Sequence, residues 1–218
     1  MNTKLIFKLT TDLDSLNQFY QIRNFSYGND STMRGLLSQG KKDKFDSCQN
    51  SHTILAIDTN NNQLIVGGLR ISLPDTSSQC YELPFENEIV NRKKLSKIFN
   101  LDFGNSFEYN KLVFYPTHRN IKNLQNIFLE SLNFLKAKST NYGFIVTTTN
   151  KPRERMFRTF LKKHAQIISL SNIIFPNNPG KYEGQEYTIL IVDIHNKINI
   201  NDYEFLTSKN KVRFEDLL

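Results

Sequence analysis

The run from Phe107 to Arg119 constrains this chain more than any other. It reads as an apolar strand that stops at Pro116, whose ring removes a main-chain donor and cannot continue a ladder. Two polar steps, Thr117 and His118, then lead into a helical pattern. Ile121, Leu124, Ile127, Phe128, Leu132 and Leu135 recur at helical spacing and predict a helix from about Asn120 to Lys138. The junction carries Glu108, Lys111 and Arg119. Charged residues at a strand-to-helix junction are where α/β folds gather ligands.

The elements around this junction set the class. Thr11 or Asp12 can cap a helix whose apolar positions are Leu13, Leu16, Phe19, Tyr20 and Ile22. Tyr27 to Cys48 is polar, contains glycine and is long for an inert loop. Thr53–Asp58 and Leu64–Ile71 flank an Asn-rich turn and predict a hairpin, in which Gly67-Gly68 marks a bulge or a close backbone approach. Ser72 to Asn105 is irregular, with a short basic helix around 92–98. A β-branched strand follows at 142–149, then a helix from Pro152 with Met156, Phe157, Phe160 and Leu161 inside and Arg155, Arg158, Lys162 and Lys163 outside. Strands at 167–175 and 187–194 come last. The order helix, strand, strand, strand, helix, strand, helix, strand, strand predicts a mixed α/β chain: one central sheet, part parallel and part antiparallel, flanked by helices. We expect one domain over residues 1–195 and a polar C-terminal extension over 196–218.

Composition narrows the function classes. The 218 residues suffice for a sizeable core, and 39% hydrophobic against 22% charged residues suits a globular fold. No apolar run approaches the roughly 20 residues that span a bilayer. Residues 1–7 are too short and too soon polar for a signal peptide. Cys48 and Cys80 lack metal-ligand spacing and form no disulfide framework, so inert thiols and a cytoplasmic location are expected. A net charge of +7 favours an acidic partner. Basic and aromatic residues do not interleave as in RNA-binding signatures, and zinc-finger spacing is absent, so nucleic acid is not expected.

Four motifs in order carry a resemblance. Arg23 with Phe25 or Tyr27 resembles the N-terminal arginine and aromatic of the acyl-homoserine-lactone (autoinducer) synthases, a branch of the GNAT N-acyltransferases. Asp43-Lys44-Phe45-Asp46 resembles their D-x-F/Y-D element, Gly67 to Pro74 their G-x-x-R-L-x-P strand, and Glu108-Tyr109-Asn110-Lys111 their E-x-S-R strand. Three further elements are similar to the sister N-acyl amino acid synthases: Ser51-His52-Thr53, Leu83-Pro84-Phe85-Glu86, and Tyr182 to Tyr187. Lys111 and Asn110 replace the usual arginine and serine, and tryptophan is absent. Val113 to Arg119 resembles the GNAT motif that holds the pyrophosphate of coenzyme A, but Lys122 and Leu124 stand where that family places small residues.

The resemblance implies a GNAT-like fold and transfer of a fatty acyl group from acyl carrier protein, or acyl-CoA, to the amine of an amino acid or related molecule. It implies Glu108 as proton acceptor with Lys111 beside it as the catalytic pair. Arg23, Asp43, Asp46 and Arg70 would form the acceptor site, and Val113, Arg119 and Lys122 would meet the donor. No metal or resident cofactor is implied. Lys122 suits the single phosphate of a phosphopantetheine arm. The basic groups Arg92-Lys93-Lys94 with Lys97, and Arg153, Arg155, Arg158 and Lys162, would dock the acidic carrier, and an acylated product would give peripheral membrane contact. Read without the resemblance, Glu108 is a sheet carboxylate paired with Lys111 or Arg70, Asp43 and Asp46 are turn residues, and His52 is a hydrogen-bonding residue rather than a base. Acyl-homoserine-lactone synthesis, acetyl-CoA-dependent acetylation and a non-catalytic carrier-binding module are the alternatives.

Overall fold

The structure, a computed structural model, describes residues 4–29, 42–74, 83, 103–148, 151–173 and 187–198. Its elements run β1 (Leu5–Thr10), α1 (Leu13–Gly28), β2 (Ser51–Asp58), β3 (Leu64–Ser72), β4 (Ser106–Phe114), α2 (Ile121–Ala137), β5 (Tyr142–Thr148), α3 (Lys151–Leu161), β6 (Gln166–Ile173) and β7 (Tyr187–Asp193). The seven strands form one sheet in the order β1-β2-β3-β4-β5-β7-β6. Only β4 and β5 pair in parallel; every other neighbour is antiparallel. The mixed sheet flanked by helices is the predicted class.

Strand β1 was absent from the predicted order. It is an edge strand whose inward residues, Leu5 and Phe7, only partly cover the core, so its alternation is short and weak. The expected basic helix at 92–98 lies outside the described residues, as does Cys80. Cys48, expected as an inert thiol, is disulfide-bonded.

Period-two alternation divides the sheet into two faces. One face packs under α2 and α3 through Ile54, Val66, Leu69, Ile71, Phe107, Tyr109, Phe128, Leu132 and Phe157. The other carries α1: Phe19, Tyr20 and Ile22 lie on Leu55, Ile65 and Val113. Gly68 permits this closeness, and Gly67 a close contact with β4. A Cβ on Gly68 would stand 2.8 Å from the Phe19 ring, and one on Gly67 2.5 Å from Phe114. Asp12 caps α1, accepting from Ser15 N at 2.8 Å, and Asn120 caps α2, accepting from Asn123 N at 3.0 Å.

Two irregularities in β4 place the site. Between Gly68 and Arg70 the β3–β4 register slips by one residue, and Lys111 takes a left-handed conformation with φ 56°. That bulge inserts an extra residue on β4. Pairing of β4 with β5 runs from Ser106↔Tyr142 only to Tyr109↔Ile145. Beyond that pair the two strands part, while β5 stays bonded to β7 as far as Thr148.

Candidate active site

The parting of β4 from β5 lies beside a buried ionic cluster on the α1 face. Asp43 and Asp46 reach it from a 3-10 turn, Lys44–Ser47, that leads towards β2. Their spacing makes a capping box: Asp43 accepts from Phe45 N at 3.0 Å, and Asp46 accepts from Asp43 N at 2.7 Å. The turn thus holds both carboxylates by its own hydrogen bonds as well as by the cations. The expectation that they are turn residues is met by this geometry, and the same turn brings both carboxylates to the cluster.

Two arginines and a lysine complete the cluster. Arg23, from α1, grips Asp46 with both prongs at 2.9 and 2.7 Å. Arg70, from β3 and 1% exposed, reaches both aspartates: Nη1 donates to Asp43 and Asp46 at 2.6 Å each, and Nη2 to Asp43 at 3.1 Å. Lys111 Nζ lies 3.2 Å from the second oxygen of Asp43. Rings of Tyr20, Phe45 and Tyr27 stand under Arg23, Arg70 and Lys111 at 5.0, 5.9 and 5.6 Å, within cation–π range.

Each carboxylate therefore receives four donors, a full complement for its lone pairs. Burial pushes both acids up. For Asp43 the charges of Arg70 and Lys111 reverse this, and for Asp46 the hydrogen bonds of Arg23 and the charge of Arg70 do so. Both carboxyls are held below the ordinary range. Burial pushes Arg70 down, and the two aspartates more than offset it, so its pKa is raised. Burial also raises Tyr20.

The bulge explains how Asn110 and Lys111, adjacent in sequence, serve one site. Neighbours on a regular strand point to opposite faces. With Lys111 left-handed, Asn110 bonds Arg70 and Lys111 meets Asp43. Glu108 lies two residues earlier on β4, buried, opposite Ser72 on β3 and Phe144 on β5. It stands on the α1 side of the last paired segment before the strands part. Lys111 and Arg70, weighed as structural partners of Glu108, both pair with Asp43.

The remaining expected residues fall elsewhere. The Val113 side chain is buried against α1, so only its main chain is left to meet a donor. Arg119 and Lys122 are exposed at the mouth of α2. There the N–H groups of His118, Arg119 and Asn120 bond to Tyr115, Pro116 and His118 carbonyls, and those of Asn123 and Leu124 to Asn120. Among the described residues, the N–H groups of Ile121 and Lys122 meet no acceptor in this turn. Leu124 faces the core. His52 sits on the opposite face of the sheet from the cluster, its ring 4.9 Å from Phe134. Arg158, expected to face outward for docking, is part exposed and also binds Glu154 at 2.9 Å and Ser169, tying α3 to β6. Asn110 and Ser72, not named among the expected site residues, also join the cluster through Arg70.

No family model and no curated protein matches the chain. Solved structures do. The CoA-dependent acyl-homoserine lactone synthase BjaI, solved with MTA, aligns at 14% identity and TM-score 0.61 over 96% of this chain and 93% of its own. The AHL synthase LasI aligns at 11% identity and TM-score 0.61 over 93% and 96%. FeeM, an N-acyl amino acid synthase from uncultured soil microbes, aligns at 11% identity and TM-score 0.59 over 89% and 93%. The fold is that of the GNAT-like acyltransferases. Within that fold the ionic cluster, the β4 bulge and the strand parting sit together on one side of the sheet. Among the described residues no helix is long and apolar enough to cross a membrane.

Proposed function

We propose that this chain is an N-acyltransferase that moves a fatty acyl group from acyl carrier protein or acyl-CoA to the amine of an amino acid or related small molecule. The observation that carries the reading is the Arg23–Asp46–Arg70–Asp43–Lys111 cluster beside the parting of β4 and β5. Amide formation from a thioester needs a held carbonyl, a neutral amine and a route for its proton. The thioester would lie in the gap between the strands, where main-chain groups of β4 beyond Tyr109 no longer pair with β5. Glu108 would take the proton from the attacking amine, directly or through water. The amine attacks the carbonyl carbon, the thiolate leaves, and no acyl-enzyme forms.

The aspartates, saturated by their cations, shape the acceptor site by fixing Arg23, Arg70 and Lys111. Lys111 holds one ion pair with Asp43 and has further ammonium hydrogens for an acceptor carboxylate. Lysine offers a point charge there rather than the two-pronged grip of arginine. At the α2 mouth two open N–H groups flanked by Arg119 and Lys122 suit a single phosphate, which favours the phosphopantetheine arm of a carrier over coenzyme A. A lactone product is the second reading, supported by the likeness to BjaI and LasI; its acceptor would be S-adenosylmethionine.

Mass spectrometry of the acyl amine that accumulates in an expressing bacterial host tests the class, and an acyl lactone among the products would favour the second reading. Glu108→Gln should lower kcat by about 10²–10⁴ with an unchanged circular dichroism spectrum. Undiminished turnover in that variant would remove Glu108 from the mechanism.

A further inference from the structure

Arg70 spends both terminal nitrogens on the aspartates, and its remaining nitrogen faces β4. Nε donates to Asn110 Oδ1 at 2.5 Å. The other end of the Asn110 amide donates to Ser72 Oγ at 3.1 Å, and Ser72 Oγ lies 3.5 Å from Ser51 Oγ. A line of polar contacts thus crosses three strands, from Ser51 on β2 through Ser72 on β3 to Asn110 on β4, and ends on the guanidinium.

The arrangement is directional. Ser72 can satisfy the amide nitrogen, which turns the amide oxygen towards Arg70. That oxygen is neutral. It satisfies Nε, the nitrogen that Asp43 and Asp46 leave open. The contact also sits next to the bulge: the left-handed Lys111 lets the strand present Asn110 to Arg70 and then Lys111 to Asp43.

We propose that Asn110 is a positioning residue: it orients the Arg70 guanidinium so that Asp43 and Asp46 are held in register for the amine acceptor. This rests on the acyltransferase reading for its kinetic consequence, though not for its geometry. The charged groups around Arg70 from each packed element are Arg23 on α1, Asp43 and Asp46 on the 3-10 turn, and Glu108 and Lys111 on β4. Asn110 is the uncharged member that fixes their shared partner.

Two variants separate this from a merely structural role. Asn110→Leu keeps the branching at Cγ and removes both hydrogen bonds. Asn110→Asp keeps an oxygen for Nε and loses the donation to Ser72. In nitrogen-15 spectra of the wild-type protein the Arg70 Nε–H should exchange slowly with solvent. Asn110→Leu should exchange at least about tenfold faster, the scale of one lost hydrogen bond to a charged group, and Asn110→Asp should stay close to wild type. In turnover, Asn110→Leu should raise the acceptor KM by about tenfold with the donor KM within about twofold, and Asn110→Asp should recover most of the loss. Unchanged Arg70 exchange in Asn110→Leu would overturn the proposal, as would donor and acceptor KM rising together. If the wild-type protein acylates no amine, the acyltransferase reading fails, and the exchange measurement still decides whether Asn110 holds Arg70.

Discussion

Asp46 is 1% exposed at its side chain and accepts from Arg23, Arg70 and its own turn. Removing it takes a two-pronged partner from buried Arg23 and one of two carboxylates from buried Arg70, and breaking a buried ionic pair by deleting one partner typically costs several kcal/mol. Asp46→Ala should therefore lower the unfolding free energy by about 3–5 kcal/mol in urea titrations; a loss under about 1 kcal/mol would mean that water replaces the carboxylate. The pH dependence has a definite sign. Asp43 and Asp46 have native pKa values below their unfolded ones, so the unfolded chain binds protons first as pH falls. Their contribution is complete above the unfolded value near 4 and is lost as pH falls from there through the depressed native values. Urea midpoints should be flat with respect to these groups between about pH 5 and 7 and drop below about pH 4. Asp43→Asn should show a shallower drop.

At the scale of the element, β4 does two jobs that a regular strand cannot do together. Up to Tyr109 it pairs on both edges, with Phe107 and Tyr109 anchoring it in the core through edge-on ring contacts at 4.9 and 5.5 Å. Past Tyr109 it bulges and leaves β5. The bulge places a side chain at a φ that L-residues occupy at a cost of roughly 1–2 kcal/mol. Glycine avoids that cost. Lys111→Gly and Lys111→Ala both lose the pair with Asp43, so the glycine variant should be the more stable of the two by about 1 kcal/mol, read from urea unfolding. Equal stability would mean that the left-handed conformation relaxes once the ammonium is gone. Gly143 across the pair is constrained in a different way: a Cβ there would stand 2.0 Å from the Phe107 ring. The aromatic anchor under the strand parting therefore depends on a residue without a side chain.

For the whole molecule the relevant quantity is charge. The chain carries 28 basic and 21 acidic side chains, and the mouth of α2 adds Arg119 and Lys122 to a turn with open N–H groups. An acidic carrier protein would be drawn to such a surface by forces that salt screens within about 10 Å at 0.1 M. If the donor is carrier-bound, kcat/KM for acyl carrier protein should fall several-fold between 50 and 300 mM salt, with a smaller change for acyl-CoA. Equal salt dependence for the two donors would point to recognition of the phosphate arm alone.

Local chemistry made much of the architecture legible. Pro116 ends β4, Asn120 caps α2, the apolar spacing from Ile121 to Leu135 gives that helix its buried face, and Gly67-Gly68 marks the close approach of α1. These signals act over a few residues and survive in a one-dimensional reading. The D-x-F-D spacing likewise contains its own capping box. Edge strand β1 escaped because partial burial leaves little alternation. Only the tertiary structure decided that Arg70 joins both aspartates, that Lys111 pairs with Asp43, that Asn110 completes Arg70, and that Arg158 belongs to α3 and β6. Those contacts span 11 to 68 positions in the chain, or turn on a one-residue bulge that reverses which face a side chain meets, so they follow from strand register and from nothing that neighbouring residues dictate.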